Sequence, residues 1–190
     1  MQLGKLKLSN RKTEYNKQVL YFFIKLSILV TAWFIIYGLI LSPKRIIDKP
    51  VTNILAVASA KCINVLSPNT EKIYTAPYPN HAGSILVQNG EKVFGIMDVC
   101  NGVDLMFIYL CIIVLLPYPL KRKLIFSIGG IIAIIVANII RITALYLIFK
   151  YRSDAFDFSH HYLFTLLMYV LIFYGWVLFI KKGMPNEKSG

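Results

Sequence analysis

LIFSIGGIIAIIVANIIRITALYLIF, residues 124–149, decides the fold: it is a continuous apolar run whose single charge, Arg141, sits toward its end. A helix rises about 1.5 Å per residue, and a hydrocarbon core of about 30 Å takes roughly 20 residues to cross. Three further blocks have the same character, at about Val19–Leu41, Val103–Leu120 and Tyr162–Ile180. Composition agrees, with 57% hydrophobic and 16% charged residues, where soluble domains average roughly 45–50% apolar. The expected fold is an all-α polytopic membrane protein with about four transmembrane helices. The 190 residues suit a single membrane-embedded domain: residues 1–18 a cytoplasmic basic tail, 42–102 an extracytoplasmic loop, and 103–180 the helices that carry the chemistry.

A net charge of +12 raises the question of nucleic acid. The basic residues, however, cluster at the ends of the apolar blocks: Lys5, Lys7, Arg11, Lys12 and Lys17 before the first, Lys121, Arg122 and Lys123 after the second, and Lys181, Lys182 and Lys188 after the last. That is the pattern of the positive-inside rule, so membrane lipid is the expected partner and nucleic acid is not. Four spans with an internal amino terminus put all three clusters on the cytoplasmic side of the cell's inner membrane. The loops are then outside, and Lys44, Arg45 and Lys49 weaken the asymmetry only slightly. Within the long loop, Val51–Leu66 is amphipathic and short for a span, and reads as an interfacial or re-entrant helix. After it, Pro68, Pro77 and Pro79 mark a loop, and the stretch from Ser84 to Phe94 reads as a small extracytoplasmic β-hairpin about Asn89-Gly90. Pro117-Tyr118-Pro119 should end the second span.

Cysteine usage is sparse. Cys62, Cys100 and Cys111 have neither CxxC nor zinc spacing, so no disulfide scaffold and no metal site are expected. Cys100 stands at the mouth of the second span, where Asp98 as N-cap would put it in the first helical turn, beside unpaired amides and a positive dipole end that favour a thiolate. The alternative is a small buried hydrophobe. Arg141 in an apolar helix is costly unless it faces a partner or a wet cavity. Gly129, Ala133, Ala137 and Arg141 form a small-residue row that would turn it inward, with Asn138 on nearly the same face. Otherwise Arg141 snorkels to the surface. At the start of the last span His160 and His161 face different ways. From His161 the helical period passes Thr165, Met168, Ile172 and Gly175, the smaller and more polar face, so His161 is expected to look inward and His160 toward lipid. No convincing third ligand makes the pair a metal site. Three spans thus deliver Cys100, Arg141 and His161 to one level of the membrane.

At these residues the chain resembles the exosortase/archaeosortase family, as a compact variant. The matching elements are Cys100-Asn101-Gly102, Asn138-Ile139-Ile140-Arg141 and His161-Tyr162-Leu163-Phe164-Thr165. Asp98 stands where the family commonly has Glu, Asp104 where many members carry a basic residue, and Thr165 where a Gly is frequent. The resemblance implies a membrane cysteine transpeptidase or protease acting on exported proteins that carry a carboxy-terminal sorting signal with a hydrophobic helix. It would work through a thioacyl enzyme resolved by water or by an amine, glycan or lipid acceptor. It also implies Cys100, Arg141 and His161 as catalytic residues, with Asn138, Asp98, Asp104 and His160 supporting them, an extracytoplasmic active site and no cofactor. The competing classes are a non-enzymatic membrane assembly or binding protein and a small anion-transport subunit.

Overall fold

The computed structural model describes residues 2–68 and 71–181, without the side chains of residues 2–13 and 15. Lys182 and Lys188 of the carboxy-terminal cluster, and the side chains of Lys5, Lys7, Arg11 and Lys12, therefore lie outside the described residues. The first apolar block is the core of helix α1 (Gln2–Ile36), which runs on through a π turn (Tyr37–Leu41) into α2 (Ser42–Lys44). Arg45, in left-handed backbone at φ 50°, ends it. Helix α3 (Asp48–Leu66) follows, then strands β1 (Tyr74–Pro77), β2 (Gly83–Gln88) and β3 (Glu91–Met97). A 3-10 turn (Asp98–Cys100) leads to α4 (Val103–Leu115) and α5 (Leu120–Tyr151). After a second 3-10 turn (Ser153–Ala155) come α6 (Phe156–Phe158), a π turn (Ser159–Leu163) and α7 (Phe164–Lys181).

Among the described residues three helical stretches are long and apolar enough to cross a membrane: Asn16–Lys44, Leu120–Tyr151 and Ser153–Lys181. Large side chains such as Leu20, Ile28 and Ile35 stand exposed along α1, an arrangement that water would penalise and lipid does not. The block at Val103–Leu120, expected as a span, is helical for only 13 residues, about 20 Å. Pro117 and Pro119 follow its carboxy-terminal end, where the sequence places the stop, and Leu116 is already extended.

The helices pack around one aromatic wedge. Tyr109 of α4 is buried between α5 and α7. Its hydroxyl donates to the Phe126 carbonyl at 3.0 Å, and its own carbonyl accepts from Trp176 Nε1 at 3.2 Å. A Cβ on Gly130 would lie 2.0 Å from the Tyr109 ring and one on Gly175 2.9 Å, so both glycines make room for it. The packed row of α5 is therefore Gly130, Ile134 and Asn138. The expected row is displaced by one residue: Gly129 and Ala133 are exposed, and Gly129 meets nothing within 4 Å.

A second core joins the sheet to the bundle. Leu55, Ala56, Ala60 and Ile63 of α3 pack on Leu86 and Ile96 of the sheet and on Ile142 and Tyr146 of α5. The hairpin forms at Asn89-Gly90, with φ 56° and 81°, the positive pair of a two-residue turn between Gln88 and Glu91. The sheet has one strand more than expected: β1, in the proline-rich loop, pairs antiparallel with β2 to give the order β1-β2-β3. That leaves β3 at an edge, running directly into Cys100.

Candidate active site

Cys100 is the last residue of the 3-10 turn and not part of α4. Gly102, at φ 81°, is the N-cap, so the helix starts at Val103. The expectation that Cys100 occupies the first helical turn is corrected on this ground. A hydrogen-bonded platform, not the helix end, holds the turn. Asp98 is buried and takes Arg45 Nε at 2.5 Å, Arg45 Nη2 at 3.0 Å and Thr52 Oγ1 at 2.8 Å. Asn101 is also buried; its Nδ2 donates to Asp48 at 2.8 Å and its Oδ1 accepts from the Val103 amide at 2.9 Å. Asp48, only 1% exposed, receives Tyr37 Oη at 2.8 Å as well. Two buried carboxylates thus anchor the turn, Asp98 from within it and Asp48 from α3, each supplied with directed donors, as burial of charge requires.

Asn138 reaches the same turn from α5. Wholly buried, it donates from Nδ2 to the Asn101 carbonyl at 3.1 Å. A Cβ on Gly102 would come within 2.2 Å of that Nδ2. Glycine is needed here twice over, for its positive φ and for the space that Asn138 occupies. One helical turn further, Arg141 lines a cavity of about 590 Å³ together with Cys100 and His160. Among the described residues Arg141 makes no ion pair. Burial pushes the Cys100 thiol above its ordinary value, and the Arg141 charge opposes that by favouring the thiolate.

The histidines exchange the places expected of them. His160 Nε2 lies 3.9 Å from Cys100 Sγ, while His161 is exposed, its ring centre 4.7 Å from that of His160 in an edge-on pair. Met168 and Ile172 do face the core, so the face assigned to the last helix is correct further along. Both histidines lie within the π turn Ser159–Leu163, which holds one residue more than an α turn. The extra residue rotates them by about 100° relative to Met168 and Ile172. His160 also stacks on Phe156 at 5.7 Å, with 5° between the planes.

Of the residues singled out in the sequence, Cys100, Arg141 and His160 come together. Asn138 and Asp98 support the cysteine turn from below. Asp104 is elsewhere: it accepts from Trp33 Nε1 at 3.2 Å, and Trp33 stacks on Phe107 at 4.0 Å, which fastens α1 to α4. Arg45, Asp48, Thr52 and Asn101 were not expected in the platform. Their one sequence signal is the pair of acidic residues, Asp48 and Asp98, in a chain that carries only nine Asp and Glu in all.

Among the described residues no group of three His, Cys, Asp or Glu side chains is placed to hold a metal ion. Comparison with curated proteins and with solved structures gave no match. The model of the family described as Transmembrane exosortase matches residues 19–181, a range that takes in α3, the sheet, the cysteine turn, Arg141 and both histidines. Long apolar helices around a Cys, Arg and His cavity agree with that match, and this integral membrane protein belongs to the transmembrane exosortase family.

Proposed function

We propose that the protein is a membrane cysteine transpeptidase or protease that cleaves carboxy-terminal sorting signals of exported proteins. The observation that supports this most directly is the grouping of Cys100 Sγ, His160 Nε2 at 3.9 Å and Arg141 around one cavity. His160 takes the thiol proton, and the Cys100 thiolate attacks the scissile carbonyl carbon. The negative charge that develops on the carbonyl oxygen is met by the Arg141 guanidinium, a donor aimed into a largely apolar site. His160 then returns its proton to the leaving amine as the C–N bond breaks, leaving an S-acyl Cys100. An amine acceptor attacks this thioester in a transpeptidase, or water in a protease, with His160 accepting the nucleophile's proton.

The sulfur–nitrogen distance is longer than a tight hydrogen bond, as catalytic contacts often are before substrate closes the site. Thiol activation rests on Arg141 and His160, because Cys100 lies outside α4. The basic ends of the spans favour an internal amino terminus and a four-span arrangement in the inner membrane, with α4 completing its crossing through Leu116–Pro119. The sheet and the Cys100 cavity then face the extracytoplasmic side, where exported substrates present their signals.

The test is processing of a substrate precursor in membranes at matched expression. Cys100→Ala and His160→Ala should each leave the precursor uncut, whereas His161→Ala should retain at least a third of wild-type turnover. Full processing by Cys100→Ala would remove the enzyme reading and favour an assembly role. Loss with His161→Ala but not with His160→Ala would show that the working form lacks the π turn seen here.

A further inference from the structure

The cavity that holds Cys100 has a second wall with its own binding chemistry. That wall is β3: Lys92 through Met97 line the cavity opposite Arg141 and His160. As the last strand in the order β1-β2-β3, β3 pairs on one side only. The amide of Tyr78 donates to the Gly83 carbonyl at 3.2 Å, and the amide of Asp98 to the Ala82 carbonyl at 3.0 Å. Gly83 therefore bonds toward β1, while Ala82 bonds toward the β3 side. In an antiparallel ladder bonded and non-bonded pairs alternate. Gly83 opposite Met97, and Ile85 opposite Gly95, are then the non-bonded pairs of the register. The amide and carbonyl groups of Met97 and Gly95 consequently point away from β2, toward the open edge.

Proteins usually blunt such an edge with charges, proline or a covering element. From Val93 to Met97 there is no charge and no proline. Lys92 stands only at the far end, its ammonium 4.1 Å from the centre of the Tyr78 ring. The edge is left open where it adjoins the reactive cysteine. Resting on the peptide-bond chemistry proposed above, we propose that the substrate segment preceding the scissile bond binds in extended form as a fourth strand, parallel to β3, bonded to the outward amides and carbonyls of Gly95 and Met97. Its direction follows from the fold. β3 runs toward Cys100, so a segment lying along it whose last carbonyl reaches the sulfur must run the same way, and the hydrophobic helix that follows the cleaved bond is directed off the sheet toward the spans. Strand addition takes its affinity from the main chain and its specificity from alternate side chains. Side chains on one face of the added strand would meet Phe94, Phe149 and Phe156, whose rings lie 5.6–6.1 Å apart.

The proposal is tested on the whole protein in detergent with acetyl-Ala-Ala-Ala-chloromethyl ketone, whose methylene carbon alkylates a thiolate with loss of chloride. The rate of Cys100 labelling is read from the mass of the Cys100 peptide after digestion, because the exposed Cys62 can react as well. Two analogues carry an ester oxygen in place of either of two successive amide N–H groups. Neighbouring amides of a strand point opposite ways, so one ester should slow labelling about tenfold, the usual order for one lost hydrogen bond, and the other less than twofold. Met97 has φ −86°, close to what proline adopts. Met97→Pro therefore removes an outward N–H without breaking the ladder, and should label about tenfold more slowly than Met97→Ala. Iodoacetamide, which needs no strand pairing, should alkylate Cys100 at the same rate in all three proteins. If both esters label like the parent peptide, or both are equally slowed, the added strand is overturned. The ester pair on wild-type protein decides the matter even if Met97→Pro does not fold. If neither reagent modifies Cys100, the enzyme reading itself fails, which is a different result from iodoacetamide labelling with no ester effect.

Discussion

Replacing Gly102 with alanine probes the join between the cysteine turn and α5. Gly102 has φ 81°, and an L-residue in that left-handed region costs about 1–2 kcal/mol. The added Cβ would stand 2.2 Å from Asn138 Nδ2, well inside contact distance, so Asn138 must move. Its 3.1 Å bond to the Asn101 carbonyl then breaks. A buried acceptor left without its donor costs about 1–3 kcal/mol more. The two contributions together come to about 2–5 kcal/mol. Gly90 supplies the internal control, because it has the same φ of 81° with nothing within 4 Å of its would-be Cβ. Gly90→Ala should therefore show only the first contribution, about 1–2 kcal/mol. Denaturant unfolding of both variants in one detergent gives the difference, and iodoacetamide labelling shows whether Cys100 has become more accessible. A double-mutant cycle sharpens the comparison: in an Asn138→Ala background the extra cost of Gly102→Ala should fall to that of Gly90→Ala. Equal destabilisation by Gly102→Ala and Gly90→Ala in the wild-type background would refute the packing of Asn138 against this turn.

The alkylation of Cys100 should rise with pH at values above those of an ordinary thiol, since burial raises its pKa. The Arg141 charge lowers that pKa, so Arg141→Gln should move the profile to still higher pH; a shift the other way contradicts the placement of the guanidinium. Arg45→Ala leaves the Asp98 carboxylate buried without its cation, and should destabilise by about 3 kcal/mol, the low end for a broken buried pair because Arg45 keeps some access to solvent. An unchanged unfolding midpoint would show that the platform does not depend on the pair. If the sheet faces outside, as proposed, Glu91→Cys at the exposed hairpin should react with a membrane-impermeant thiol reagent in intact cells, and Lys121→Cys should not, both in a background where the exposed Cys62 is replaced by Ser; the reverse would invert the orientation.

The large features of the fold were legible because their causes are local. A long apolar block has one stable form in lipid, Pro117 and Pro119 cannot continue a helix, and Asn89-Gly90 supplies the two positive φ values of a tight hairpin. β1 was not legible, because Tyr74–Pro77 is short, ends in proline and is a strand only through its pairing with β2. At the site, the sequence pointed to Cys100 and Arg141, but the inward histidine was assigned on a period of 3.6 residues. One extra residue in the turn Ser159–Leu163 was enough to substitute His160 for His161. The row on α5 missed by a single position for a related reason: Gly129 and Gly130 are equally small, and only the Tyr109 ring distinguishes them. Arg45 and Asp48 looked like charges flanking a span. Their partners Asp98 and Asn101 lie 53 residues away, and no local pattern announces such a contact.

The central claim, covalent catalysis by Cys100, is tested most directly by mass spectrometry of the protein isolated from cells that are actively exporting substrate. The Cys100 peptide should carry a mass addition equal to a substrate fragment ending at the cleavage site, released by hydroxylamine as a thioester is and missing from Cys100→Ala. A Cys100 found free under all conditions, in cells where Cys100→Ala still processes the precursor, would contradict the account.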